Sequence, residues 1–600
     1  MPIESLKTSS RLFARRLRKG LAGHLGWTAN RPFGRLVRHF LARMTRAGQE
    51  SASTEFELGV GGLLGLLAVP GAFATLLLLP KYSSFLRMLR GMPLGDPYVE
   101  SIPDKYFFIV LSMTITGVVT VLKWDKILPD QQDYLNLAPL PVTTRTIFLA
   151  NATAILFAVA VFTLDVNAIS SLLFPAIIAT ELNNSAVFLR FAGPQALCVI
   201  LAGAFTFCGV SAVMGGIETV LPRRVARACA PWVRGALLVG FVLVLLTIFS
   251  GTALARRIGH DPDSLVRLLP PMWFLGLYQK LQPGVGTRLS ELGEAGLVGV
   301  AVTFVLAAAL YALSYRRSFM GVPEGTGRPA RRSLPALGLR WFDLFSFGGD
   351  RFQRACHRFA IRALLRNDAH RVCLAASIGL AWLFAALSAS TALTATGASG
   401  GRLIHAGLLA PPLAGAYLLI LGLRFSFGVP AGLGANWIFR VILDRNENNL
   451  AGVARRVMLS FLTPLVLLPG FALYSALWDP GIAVVHVMYV LALSGCLIEF
   501  LLDGYRKIPL TCSLPPLRNQ ILLPLVLYGS GFLVFTWVGA AVETWMFRQP
   551  LRFLLVPAAM AAVWLWNRRR NETAEDRDLS LTFEDLPPPA LETLHLLDNT

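Results

Sequence analysis

Acid is scarce in this chain. Asp and Glu number 35 among 600 residues against 55 Lys and Arg, for a formal charge of +20, and charged residues of both signs make up only 15%. With 54% hydrophobic residues, that is not the composition of an ordinary soluble domain. Histidine is rarer still at 8. The seven cysteines (Cys198, Cys208, Cys229, Cys356, Cys373, Cys496 and Cys512) fall in expected spans or cytoplasmic segments and form no CxxC pair. Neither a disulfide framework nor a zinc site is supported. No GxxxxGK[ST] loop occurs, so the chain cannot cradle nucleotide phosphates in the P-loop manner itself. The first 20 residues carry Arg15, Arg16, Arg18 and Lys19 without an apolar core, which predicts no cleavable signal peptide.

What the chain has instead is long apolar stretches. A helix rises ~1.5 Å per residue and the hydrocarbon core is ~30 Å thick, so about 20 mostly apolar residues make a span. Twelve such stretches are predicted, at 58–79, 106–122, 147–170, 195–218, 235–254, 296–314, 372–394, 403–423, 458–478, 481–502, 520–541 and 552–566. The expected class is an all-α polytopic membrane protein. With the amino terminus cytoplasmic, 42 of the 55 Arg and Lys lie on the cytoplasmic side and 13 on the other. This positive-inside bias predicts both termini in the cytoplasm of a multi-pass cell (inner) membrane protein. The basic residues hug span ends, where anionic lipid head groups attract them, so membrane lipids are the expected partner and nucleic acid is not.

The connections divide the chain. A basic amphipathic lead-in (1–57) precedes a first six-span half (58–314), and a basic connector (315–371) precedes a second (372–567); an acidic tail (568–600) follows. Six spans each place both halves the same way round, as parallel repeats about an axis along the membrane normal. In the lead-in, Phe13, Leu17, Leu21 and Leu25 recur at i+4. In the connector, Arg351, Arg354, Arg358, Arg362 and Arg366 fall three or four apart and stack on one helical face, either solvated, lipid-facing or a docking surface. The tail carries eight carboxylates between Glu572 and Asp598 and the run Pro587, Pro588, Pro589, the composition of a flexible extension.

Charge is also missing at membrane depth, where ion-coupled carriers usually place Asp, Glu, His or Lys. Glu499, His486, Asp165 and Glu218 sit near span ends and read as hydrated end residues. Energy for any transport then comes from a separate polypeptide.

The loop after the second span has the sharpest local pattern. Asp130 after Pro129 can cap a short helix carrying Asp133, Pro139 and Pro141 force a stiff extended turn, and Thr143 or Thr144 can cap the next span just before Arg145. A short helix held by a proline elbow transmits force to the attached spans.

The stretch Leu128 to Ala150 resembles the membrane subunits of type 2 ATP-binding-cassette exporters, in which an Asp- and Leu-rich cytoplasmic segment precedes a Pro-Leu-Pro-Val-like turn and a span. The segments Pro430 to Arg440, with Asn436 and Trp437, and Tyr505 to Pro516 are similar to those of large bacterial members, as is the external run Leu269 to Phe274, placed in the interface with Trp273 at head-group level. The resemblance implies a permease with no ATPase site and no cofactor of its own. A cytoplasmic P-loop ATPase subunit would hold ATP and Mg²⁺, and Asp130, Asp133, Pro139, Pro141, Arg145, Asn436 and Trp437 would couple it to the spans. Typical subunits have six spans and dimerise, so twelve either fuse both halves or add a module to a homodimer. An almost uncharged interior suits an apolar or amphipathic cargo. The alternatives are an ion-coupled secondary transporter and a polytopic membrane enzyme of prenyltransferase type. In the enzyme Asp130 and Asp133, at i and i+3, would bind Mg²⁺ and pyrophosphate. His260, Asp261 and Asp263 form a further acid and base candidate, with an Asp-Pro turn as the plainer reading.

Overall fold

The structure is a computed structural model, and it describes residues 32–45, 60–82, 97–127, 133, 137, 139–181, 185–250, 265–282, 288–320, 336–345, 350–397, 406–431, 436, 450–503, 505, 507–512 and 522–575. Among the described residues there is no strand. Ten helices among them are long and apolar enough to cross a membrane. The protein is therefore an all-α, multi-pass membrane protein.

These ten helices fall on ten of the expected spans, from 106–122 to 520–541. The first and last expected spans fall on helices Val60–Tyr82 and Leu555–Glu575, which are not among the ten; the last carries only the shorter apolar stretch Leu551–Val563. Several helices outrun the bilayer: Thr144–Glu181 has 38 residues, about 57 Å against a core of ~30 Å. Hydropathy finds the buried middle of such a helix and not its wet ends.

The packing of the long helices agrees in part between two runs. Counted from Val60–Tyr82 and again from Asp368–Gly397, the second long helix packs on the fourth and fifth, and the fourth packs on the third and sixth, in both runs. The first helix differs, packing chiefly on the third in one run and on the second in the other, and the hub is the fourth helix of the first run, Ser185–Val220, but the second helix of the second run, Ala406–Ser426, whose Leu409, Ala410, Leu413, Ala416, Leu419, Ile420 and Leu423 are all buried. Helix Ala406–Ser426 is apolar all round because protein surrounds it. Polar side chains tie the first bundle internally: Asn167 Nδ2 donates to Ser112 Oγ (3.0 Å), which donates to Val199 O (2.8 Å). The two runs meet where Arg223–Leu246 packs on Asp368–Gly397. There a Cβ added to Gly235 would lie 2.4 Å from Ala375 Cβ, so glycine sets the approach.

The run Leu269 to Phe274 is packed into the protein, with Trp273 half-buried. It opens helix Pro270–Leu281, whose Met272, Phe274, Leu275, Leu277 and Tyr278 are buried against neighbouring helices. Trp273 Nε1 donates to Arg267 O (2.7 Å). A Cβ on Gly293 would come within 2.9 Å of Leu277 Cα, so this glycine admits the helix.

Three of the supposed hydrated end residues are also tied into protein. Glu218 accepts from Trp124 Nε1 (3.2 Å) and Ser314 Oγ (2.6 Å), joining three helices, and Glu499 pairs with Arg455. His486 is fully buried, and its Nδ1 lies 2.7 Å from Oε1 of the equally buried Glu543. The Tyr474 ring packs edge-on against His486, with centroids 4.7 Å apart.

Candidate functional site

The loop between the second and third long helices is held from several directions. Helix Ile102–Lys123 tightens into the turn Trp124–Lys126, with Trp124 and Ile127 buried. Asp133, 7% exposed, takes an ion pair from Arg43 Nη1, and His39 Nε2 lies 3.4 Å from its Oδ1. Arg43 also donates from Nη2 to Lys126 O (2.6 Å). Both partners come from helix Pro32–Thr45, which the sequence reading did not place. Its Leu36 and Phe40 are fully buried with Leu137, Ile147, Ala150, Ala154 and Tyr315. Asn151 Nδ2 donates to Ile127 O (3.1 Å) and to the Tyr311 hydroxyl (2.7 Å), and buried Arg234 donates to both oxygens of Asp125.

On this frame the elbow stands out. Pro139, Pro141 and Arg145 are exposed. Val142 N donates to Leu140 O (2.7 Å) across Pro141, and Thr143 Oγ1 accepts from Thr146 N (3.3 Å), capping helix Thr144–Glu181. Asp130 lies outside the described residues.

The second bundle presents a similar assembly at the same end of the helices. Phe427 is buried where Ala406–Ser426 ends, His370 Nε2 lies 2.8 Å from Val429 O, and Ala431 N donates to Leu510 O (2.7 Å). Buried Asn436 donates to Thr511 O (2.8 Å). The two segments singled out as familiar, around Asn436 and from Tyr505 onward, are therefore in contact. Leu510 has φ 69°, the left-handed region that costs a branched side chain, and its full burial offsets that strain. Trp437 lies outside the described residues.

Helix Arg351–Arg366 flanks this assembly. Arg351, Arg354, Arg358, Arg362 and Arg366 are exposed along one face while Cys356, His357, Ala360, Ile361 and Leu364 are buried. Burial, reinforced by the nearby Arg456, holds the His357 imidazole down at about 4, so it is neutral near pH 7. Tyr505, under the Arg424 guanidinium at 5.2 Å, is pushed above the usual phenol range by burial.

Protein-family models, curated proteins and solved structures give no match to this chain. The reading of the site rests on its own geometry.

That geometry separates the residues singled out from sequence. Asp133 and Asn436 are buried and bonded within the chain, whereas Pro139, Pro141 and Arg145 are exposed. His260, Asp261 and Asp263 lie outside the described residues. Among the described residues no group of three or more His, Cys, Asp or Glu is placed to hold a metal ion. Two features escaped the sequence reading. Helix Pro32–Thr45 has an i, i+4 pair, Leu36 and Phe40, beside Arg35, His39 and Arg43, and was findable. The His486–Glu543 contact joins residues 57 positions apart, which one sequence does not reveal.

Proposed function

We propose that this chain is the membrane component of an ATP-driven exporter of the type 2 ATP-binding-cassette kind, forming the substrate path and coupled to a separate cytoplasmic P-loop ATPase that supplies ATP and Mg²⁺. On this reading the chain has twelve spans as six plus six in the cell membrane, both termini are cytoplasmic, and a homodimer is not required. The observation that carries it is the Pro139–Pro141 elbow, exposed at its tip yet bound at its base by Asp133 and Leu137, and continuous with helix Thr144–Glu181. A push at such a tip reaches helix Thr144–Glu181, which begins three residues after Pro141. The partly matching packing of the two helix runs supports the parallel halves. The exposed apolar belt, with Val298, Val302, Phe304 and Val305 on one helix, is suited to lipid and to a lipid-like cargo.

The enzyme reading is weakened because Asp133 is engaged by Arg43 and His39. An ion-coupled carrier draws on one observation, the buried His486–Glu543 pair. The test is affinity purification of the chain from its own membranes followed by nucleotide hydrolysis. A co-purifying P-loop ATPase whose retention falls on Arg145→Glu, with the melting temperature unchanged, is expected. Retention of no hydrolase, together with uptake driven by a proton or sodium gradient, would overturn the exporter reading in favour of the carrier.

A further inference from the structure

The arginine face of helix Arg351–Arg366 borders a groove lined by Ala355, Arg358, Phe359, Arg362, Ala363 and Ala431. Arg358 donates to Asp343 (2.8 Å), so its charge is matched; Arg351, Arg354, Arg362 and Arg366 make no ion pair among the described residues. The groove thus has a cationic rim and a small apolar floor. An extended acidic segment with interspersed apolar side chains fits that description.

The chain contains such a segment. Residues 576–600 hold Asp576, Asp578, Glu584 and Asp585 around Leu579, Leu581 and Phe583. Topology delivers it to the right end of the molecule. His486 meets Glu543 while Tyr489, further along Pro480–Leu501, meets Gly539 at the start of Gly539–Phe547, so these helices run antiparallel. The chain then turns through Pro550–Leu554 into Leu555–Glu575, which packs on Pro480–Leu501 with Met560 facing Gly495 and so runs toward the Leu501 end. At that end Leu502 and Tyr505 share a core with Leu364 of the arginine helix. Twenty-five residues span up to about 85 Å when extended, ample to cross one face of a helix bundle.

We propose that the acidic segment 576–600 docks in the arginine groove of helix Arg351–Arg366. Occupying it covers Ala431, which is bonded to Leu510. If the exporter reading holds, the docked tail competes with the ATPase for the surface beside Ala431; the docking itself does not depend on that reading.

The experiment uses the full chain in nanodiscs of neutral lipid, with a photo-reactive amino acid replacing the exposed Ala355 and adducts mapped by mass spectrometry. Adducts to residues 576–600 are expected, falling several-fold in Arg362→Glu/Arg366→Glu and recovering when Glu584→Lys/Asp585→Lys is added. If the arginine variant does not fold, neutralising the tail alone (Asp576→Asn, Asp578→Asn, Glu584→Gln, Asp585→Asn) must lower the adduct with the groove intact. Adducts only to lipid or to other segments, or a tail adduct indifferent to these charge changes, would overturn the proposal. A tail adduct in neutral lipid that gives way to lipid adducts only when anionic lipid is added would show lipid competing for the same groove and leave the docking supported.

Discussion

Asp133→Asn removes one charge from the base of the first elbow while keeping the side chain's shape. Breaking a fully buried ion pair costs about 3–5 kcal/mol. Here Asp133 is 8% exposed but Arg43 is 16% exposed, Arg43 keeps its bond to Lys126 O, and the amide retains an acceptor. The His39 contact at 3.4 Å adds little. The loss should be near 2 kcal/mol, the size of one hydrogen bond to a charged group. Because 1.36 kcal/mol is a factor of ten, backbone amides of helix Pro32–Thr45 should exchange with deuterium about 30-fold faster in the variant, while Ser185–Val220 is unaffected. Phe40→Ala, which empties a fully buried site, should act on the same amides and more strongly, by about 3–5 kcal/mol. Exchange of residues 32–45 indistinguishable from wild type in Asp133→Asn, with a clear effect in Phe40→Ala, would refute the claim that the ion pair holds this loop.

Three further outcomes are expected. A Cβ on Gly379 would sit 3.6 Å from Val239 Cβ, within disulfide range, so Val239→Cys/Gly379→Cys should cross-link the two bundles on oxidation and, if the exporter proposal holds, reversibly stop transport while leaving ATPase binding intact. Because His357 is held near 4, below the ordinary imidazole value, the unfolded chain takes up its proton first as pH falls. Stability is full above about 6.5 and is lost toward 4, by about 1 kcal/mol at pH 5 after allowance for screening; His357→Leu should flatten that slope in thermal melts. Glu543→Gln keeps a hydrogen bond to His486 and should melt near wild type, whereas Glu543→Leu strands buried His486 Nδ1 and should cost about 1–3 kcal/mol.

The spans were legible because burial in lipid needs only a long apolar run, which survives without knowledge of neighbours: Leu408 to Leu423 is apolar whatever packs on it. Thr143 was legible as a cap because capping is local, and the column from Arg351 to Arg366 because its period is helical. Residue depth was not. His486 lies two turns inside its helix and was judged by distance from an end, but a helix end is dry when an aligned neighbour covers it, as Gly539–Phe547 does here. Asp133 was assigned to a coupling surface from its place in a motif. Its burial depends on Arg43 and His39, about 90 residues upstream, a contact that no local pattern encodes.

The same contacts decide how the first bundle can move. Phe148 packs on Tyr311 and Tyr315, Asn151 bonds the Tyr311 hydroxyl, and Glu218 joins Trp124 to Ser314. At the basic end the second, third, fourth and sixth long helices are therefore cross-tied, and a displacement of the Pro139 elbow is shared among them rather than bending one. The junction between bundles is built differently. Gly235 meets Ala375 and Gly379 meets Val239, close approaches that a larger side chain would block, and the polar ties there are Arg371 donating to the carbonyls of Arg227 and Ala228. Closely packed surfaces cannot be displaced gradually, because every shift meets a neighbouring atom. In the proposed exporter, rocking of the bundles must therefore part the Gly235–Ala375 seam as a unit rather than slide along it, and the Arg371 bonds are broken or carried with it.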